Sequence, residues 1–283
     1  MSKVAVVIES TTTLPEEMAA KYKLSSPHAM IIWGDEELRD GIDIQPKEFY
    51  KRLATSKHHP STSQATPIMF KEAYEPLLAA GKDILTVTIS SKLSGMYSSA
   101  VQAKNMFPNA NIEVVDTLTG ALGVVWPLKK TLEAAEDGAS LQECKRIIEK
   151  CVKPIGLLIV PETLEYLHKG GRIGAASKFI GTALKFKPIL EVREGVFEGL
   201  EKVRTHKKAL KRLIEILVEQ IDGRKPVYLC AAHANAPEVA ANLLADAEAV
   251  IEPKGSYITP VSPAIGVHLG PGTAGIAFMA GID

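Results

Sequence analysis

The sequence lacks the features that would place it in a membrane or on a nucleic acid. Lysine plus arginine equals aspartate plus glutamate at 33 each, so no net field attracts nucleic acid or an anionic membrane surface. No apolar run approaches the ~18 residues of a bilayer-spanning helix, and the first ten residues, MSKVAVVIES, contain no small-residue cleavage site. We therefore expect a cytoplasmic protein with no integral membrane segment and no nucleic-acid partner.

Cysteine is also scarce, which argues against a disulfide framework or a zinc site. Cys144, Cys151 and Cys230 form an odd set without a C-x-x-C pair, and no histidine stands at zinc-ligand spacing from them. They are typical of reduced thiols in a core. The histidines also lack partner spacing that would indicate a metal. We expect no metal and no cofactor.

What the sequence does contain is ample apolar material, enough for two α/β domains. It has 283 residues, of which 46% are apolar and 23% charged. Apolar runs alternate with helical patterns over residues 1–154, which predicts a three-layer α/β/α domain with a mainly parallel sheet. Over residues 155–283, hairpin-like strand pairs and fewer crossover helices predict an α/β domain with a mixed, largely antiparallel sheet, covered mainly on one face.

The segment Thr88–Ala100, TISSKLSGMYSSA, has the pattern of a strand end, a hydroxyl-rich loop and a helix start. Gly95 allows a ligand to approach the backbone, and free N–H groups at a helix start favour a carboxylate or a phosphate. Ser94 lacks the G-x-S-x-G spacing of a hydrolase nucleophile. The pattern therefore predicts an anion site rather than covalent catalysis.

Two other hydroxyl-bearing segments could join this site. The stretch Lys57–Pro67, KHHPSTSQATP, has no apolar periodicity and is predicted to be a loop that carries Thr62 and Ser63. Residues 10–13 follow the first predicted strand. In an open α/β sheet such loops meet at the ligand-binding edge. The alternative is that these hydroxyls only cap helices, as Thr66 is expected to do for a helix that starts at Pro67.

Three cationic or titratable residues could reach an anion. His268 stands in SPAIGVHLGPG, which we predict to be a turn-rich segment. Arg204 ends a predicted strand, and Arg172 follows two glycines. Considered alone, a loop histidine is more often a surface or packing residue, and an isolated arginine is usually a surface charge. The nearby GPGTAG lacks the Lys and Ser or Thr of a nucleotide-binding P-loop and is predicted to be a tight turn.

Two local expectations concern the first forty-four residues. Thr13 and Glu16 have capping-box spacing, which predicts that Thr13 caps the helix Glu16–Tyr22. The acidic stretch over residues 35–44, DEELRDGIDI, is expected to be an exposed strand or excursion.

The order and spacing of seven short segments resemble those of the DegV family of bacterial lipid-binding proteins along the whole chain. Two residues depart from the family pattern: Glu9 stands where Asp is usual, and Ala65 where Pro is usual. The matching segments are VIESTTTLP near the start, TSQAT at 62–66, SSKLSGMYSSA at 90–100, VVDT at 114–117, LEYLHKGGRIG at 164–174, KPIL at 187–190 and IGVHLGPGTAG at 265–275.

The resemblance implies a non-enzymatic carrier of one long-chain fatty acid, such as palmitate. The carboxylate would lie between the domains and the acyl chain in an apolar tunnel of the second domain. A separate fatty acid kinase catalytic subunit would phosphorylate it to acyl phosphate. Thr62 and Ser94 would hydrogen-bond the carboxylate, His268 and Arg204 would lie close to it, and Ser63 and Gly95 would complete the site.

Two alternatives from the residues themselves stay open at this point. The helix-start anion sites would also suit a stand-alone small-molecule kinase or phosphotransfer enzyme. Against this reading, no aspartate cluster is placed to hold Mg²⁺. The other alternative is a carrier of a different amphiphile.

Overall fold

The computed structural model describes residues 3–182 and 186–283, which form an α/β protein. The strands and helices of the first half are β1 Val4–Val7, α1 Glu16–Tyr22, β2 Met30–Trp33, β3 Glu36–Arg39, α2 Pro46–Leu53, β4 Ser61–Ser63, α3 Pro67–Ala79, β5 Asp83–Thr88, α4 Met96–Asn105, β6 Ile112–Asp116, α5 Ala121–Glu136 and α6 Leu141–Val152. Those of the second half are β7 Ile155–Val160, α7 Glu165–Lys169, a 3-10 helix Gly174–Thr182, β8 Lys187–Arg193, β9 Val196–Val203, α8 His206–Ile221, β10 Val227–His233, α9 Pro237–Ile251, β11 Gly255–Pro260, α10 Pro263–Leu269 and β12 Ala274–Ala280.

The first half contains the predicted three-layer arrangement around a parallel sheet. The strand order is β1-β5-β6, and both pairs are parallel. Alternate residues of β5 point into different cores: Ile84 joins the cluster with α3 and α4, while Leu85 joins the cluster with α5 and α6. Because the strand is covered on both faces, it is buried from Ile84 to Thr88, its two threonines included.

A second, antiparallel sheet in the first half corrects the prediction for residues 57–67. Residues Ser61–Ser63 are a strand, β4, that pairs with β2 in the order β3-β2-β4. Thr62 lies opposite Ile31 in this register. The sequence S-T-S has no apolar residue to show a strand period, so only pairing with the apolar strand β2 fixes its extended conformation.

The second half has a six-stranded mixed sheet, as predicted, in the order β11-β10-β12-β7-β8-β9. Only the pair β10 and β11 is parallel. The expectation that one face would be mainly covered is wrong. Leu158 packs with α8 and α9 on one face, whereas Leu157 and Ile159 pack on the other against residues of the first half. Burial on both faces explains the unbroken apolar strand IGLLIV.

The apolar core is continuous across the predicted boundary between residues 154 and 155. Helix α5 contacts β10, β12 and β7 of the second sheet as well as α6. Trp126 on α5 donates its indole N–H to the carbonyl of Leu229, with an N to O distance of 2.7 Å. The two halves therefore share one apolar core, and the division into two domains at residue 154 stays a prediction.

Helix starts follow local chemistry in two of three predicted cases. Thr66 caps α3 by accepting the N–H of Met69, and Gly95 is the N-cap of α4. Thr13 does not cap α1, because Pro15 occupies the N-cap position and Thr13 Oγ1 finds no partner in the described part of the chain. Within residues 3–182 and 186–283, no helix has the length and apolarity needed to cross a bilayer.

Candidate functional site

A cavity lies between the two halves of the chain and is apolar over most of its wall. Its empty volume is about 840 Å³, part of it open to solvent. Both halves contribute apolar side chains: Ala29, Ile89, Leu93, Ala121 and Leu122 from the first, and Leu157, Ile159, Phe197, Ala264, Ile265 and Leu269 from the second.

Polar side chains on the cavity wall include Thr62 and His268, which meet although they are 206 residues apart. His268 Nε2 and Thr62 Oγ1 are 2.8 Å apart. Thr62 comes from β4, and His268 from α10. The prediction that His268 lies in a turn is wrong: Ser262 caps α10 by accepting the N–H of Ile265, and Pro263 occupies the first turn. Ser-Pro is the same start signal as Thr66-Pro67.

His268 is neutral at ordinary pH because of where it lies. Burial, with smaller effects from the charges of Arg172 and His59, lowers the pKa of His268 from 6.5 to about 4. Its Nδ1 is buried and has no hydrogen-bond partner among the described residues. A Cβ added to Gly170 would lie only 2.1 Å from this nitrogen. A glycine at position 170 therefore lets the imidazole pack against the backbone.

Arg172, rather than Arg204, supplies the positive charge of the cavity wall. Its Nη1 donates to the carbonyl of Gly170 at 2.7 Å, and its Nε donates to the carbonyl of Leu93 at 3.1 Å. These bonds hold the guanidinium between the segment after α7 and the loop that carries Ser94. Arg204 is exposed and does not line the cavity, because β9 ends at Val203 and the chain continues to the surface.

The loop before α4 contributes Ser94 to the cavity, as the sequence pattern suggested. Ser94 lines the wall, and its Oγ accepts the N–H of Met96 at 3.4 Å. Gly95 is the helix N-cap, and a Cβ at this position would lie 2.8 Å from Gln64 Cδ. The close approach brings the end of β4 against the helix start. Ser63 also lines the cavity and is exposed.

Two buried carboxylates, neither of them a predicted site residue, hold the surrounding loops in place. Asp40 is fully buried although it belongs to a stretch expected to be exposed. It accepts the Ser10 hydroxyl at 2.8 Å and the Ala264 N–H, in the first turn of α10, at 3.0 Å. Glu9 accepts the N–H groups of Thr11 and Ile89 at 2.9 and 3.2 Å. Burial raises the pKa of both carboxyls.

Among residues 3–182 and 186–283, no cluster of three or more histidine, cysteine, aspartate or glutamate side chains could hold a metal ion. The polar side chains that line the cavity carry hydroxyls, the Gln64 amide, an imidazole and a guanidinium. These groups favour hydrogen bonding to an anion.

The fold and the cavity together define a class: α/β proteins that enclose an apolar cavity with hydroxyl, imidazole and guanidinium groups on its wall. The family model described as "Uncharacterised protein, DegV family" matches residues 3–281. The chain belongs to the DegV family. Protein DegV of Bacillus subtilis is 31% identical over 276 residues, which cover 97% of this chain and 98% of that protein. A DegV domain-containing protein of Clostridium perfringens is 32% identical over 281 residues, covering 97% and 98%.

Solved structures of this family superimpose on the whole chain. One is described as showing fatty acid binding of a DegV family protein from Thermus thermophilus. It has a TM-score of 0.92 at 28% identity and covers 99% of this chain and 100% of that chain. Another is DegV from Bacillus subtilis, described as a fatty acid binding protein. It has a TM-score of 0.87 at 30% identity, with 99% and 100% coverage.

Proposed function

We propose that the protein binds one long-chain fatty acid in this cavity and carries no catalysis of its own. The observation that supports this most directly is the composition of the wall: a few polar side chains, among them the hydrogen-bonded pair Thr62 and His268, on a surface that is otherwise mostly apolar. An amphiphile with a single anionic head matches that distribution. Relatives from Thermus thermophilus and Bacillus subtilis are described as fatty acid binding.

The carboxylate is received by Thr62, Ser94 and Arg172. Among the described residues, none accepts a hydrogen bond from Nδ1 of His268. Burying an N–H group without an acceptor costs more free energy than burying an unprotonated nitrogen. The proton of the neutral ring therefore sits on Nε2 and is donated to Thr62 Oγ1. This leaves the Thr62 O–H free to donate to a ligand oxygen. His268 thus acts through Thr62.

The acyl chain supplies most of the affinity. About fifteen methylenes at ~0.8 kcal/mol each give on the order of 12 kcal/mol before the costs of association. The wall against which they pack comes from both halves of the chain. In this proposal the tail occupies the boundary between the halves as well as the second domain. The family resemblance implied a tunnel in the second domain alone.

We also propose that a separate ATP-using kinase subunit phosphorylates the bound carboxylate to acyl phosphate. Two of the three groups that hold the carboxylate, the hydroxyls of Thr62 and Ser94, are neutral, which leaves a carboxylate oxygen nucleophilic enough to attack the γ-phosphorus of ATP and release ADP. The Arg172 guanidinium balances the negative charge, which is larger in the acyl phosphate.

Native mass spectrometry of the purified protein tests the carrier function. Retention of one mass typical of a long-chain fatty acid, lost after delipidation and restored by palmitate, is the expected result. ATP turnover by the protein alone would instead support the stand-alone kinase, and a different retained lipid would support another amphiphile. For the kinase step, trapping with hydroxylamine should detect acyl phosphate only when the kinase subunit and ATP are both present.

A further inference from the structure

A polar groove lies on the far side of the cavity wall. It has an empty volume of about 1540 Å³, which includes open solvent. Its lining differs from that of the cavity because it is rich in charge, with Asp116, Glu149, Lys153, Glu191, Arg193 and Arg224.

Two separate segments line the groove with one part of their length and the cavity with the next part. Along β7, Ile155 and Gly156 line the groove, Leu157 lines both spaces, and Ile159 lines the cavity. From the last residue of β6 onward, residues 116–119 line the groove and residues 120–122 line the cavity. The two spaces are therefore neighbours, separated at the level of Leu157 and the peptide between residues 119 and 120.

Leu157 is the side chain that closes this partition. It is 4% exposed, and its Cδ2 lies 2.9 Å from the position that a Cβ on Gly120 would take. The other part of the partition is backbone, and the carbonyl of Thr119 is held by the Ser90 N–H at 2.9 Å. Truncating Leu157 therefore opens the wall, whereas the backbone beside it stays in place.

Leu157 also lies farther from the His268 side of the cavity than Ile159 does, because β7 ends at Val160 opposite Ala274, just after the segment that carries His268. Strand β7 runs towards α7 and Gly170, which contacts His268. Ile159 is two residues further along the same face, about 6.6 Å nearer to that end at the usual strand rise. An acyl chain whose carboxylate lies near His268 thus extends towards Leu157.

We infer that Leu157 forms the end wall of the acyl-chain cavity and sets the longest chain that the protein accepts. The inference rests on the proposed function, because it requires a fatty acid in the cavity. Leu157→Ala removes the end wall and lets the terminal methyl group enter the groove. Within the cavity each added methylene tightens binding about fourfold, and this gain stops where the wall stands.

The test measures affinities for saturated fatty acids of about twelve to about twenty-two carbons, a range over which burial of each methylene is resolved. For Leu157→Ala, the length at which affinity stops rising should move about two to three carbons longer, matching the side-chain carbons removed. Leu157→Phe should move it shorter. Leu158→Ala is the matched control, since this neighbour points to the opposite face of β7 and packs with α8 and α9. It should lower stability without changing the preferred length.

An unchanged length profile in a folded Leu157→Ala protein overturns the inference, as does an equal shift in Leu158→Ala. If Leu157→Ala fails to fold by circular dichroism, Leu157→Val decides the question with a smaller shift in the same direction. Failure of the proposed function looks different: the wild-type protein would then bind no fatty acid of any length.

Discussion

Replacing Thr62 by valine removes one hydroxyl from the centre of the polar group while keeping the shape of the side chain. In the protein without ligand, the change leaves Nε2 of His268 without the partner that now lies 2.8 Å away. An unpaired buried polar group costs about 1–3 kcal/mol, so the free energy of unfolding should fall by about that amount. Chemical denaturation of the delipidated protein measures this loss.

The same substitution should weaken fatty-acid binding. A hydrogen bond to a charged group contributes about 1.5–3 kcal/mol, which corresponds to about a 10- to 150-fold increase in Kd. Competition against a fluorescent fatty acid measures the change. Thr62→Ser keeps the hydroxyl and serves as the matched control, with affinity close to wild type. If Thr62→Val binds within about twofold of wild type, the assignment of Thr62 as a carboxylate donor is refuted.

Three further changes test the groups around Thr62. The folded pKa of His268, about 4, lies below the ordinary 6.5, so the unfolded chain binds the extra proton first. Stability should therefore fall by about 3 kcal/mol as pH drops from 6.5 to 4, and His268→Asn should remove that part of the pH dependence in denaturation curves. Asp40→Ala leaves the Ala264 N–H and a serine hydroxyl unpaired, which should lower the unfolding free energy by about 3 kcal/mol, whereas Asp40→Asn should lose less. Gly170→Ala places a methyl group 2.1 Å from Nδ1 of His268 and should weaken fatty-acid binding at least as much as Thr62→Val; unchanged affinity would contradict the packing of the imidazole against this backbone.

Local sequence signals predicted those elements whose causes are local. The strand, hydroxyl loop and helix around Gly95 are present as expected. One of the hairpin-like strand pairs expected after residue 155 is β8 and β9, whose turn places Glu194 and Gly195 at positive φ. Thr66-Pro67 predicted the start of α3. Ser262-Pro263 is an equivalent start signal for α10, but the three glycines in SPAIGVHLGPG favour turns. That signal could have placed His268 on a helix.

The features of the candidate site that the sequence did not predict depend on contacts between distant segments. Strand β4 is extended because β2 pairs with it, and nothing in S-T-S itself indicates this. Asp40 follows the acidic and mainly exposed strand β3, yet it is buried where it accepts the Ala264 N–H, one of the free N–H groups at the start of α10. Arg172 is distinguished from Arg204 only by which of them faces the cavity.

The sequence by itself determined the α/β class, the two kinds of sheet and the family, because periodicity, caps and motif order are properties of neighbouring residues. Only the tertiary structure determined which side chains meet at the candidate site. The Thr62 hydroxyl meets His268 across 206 residues, and Leu157 closes a wall that two distant segments share. Such contacts are selected by the joint packing of both halves around one core, which no local pattern encodes.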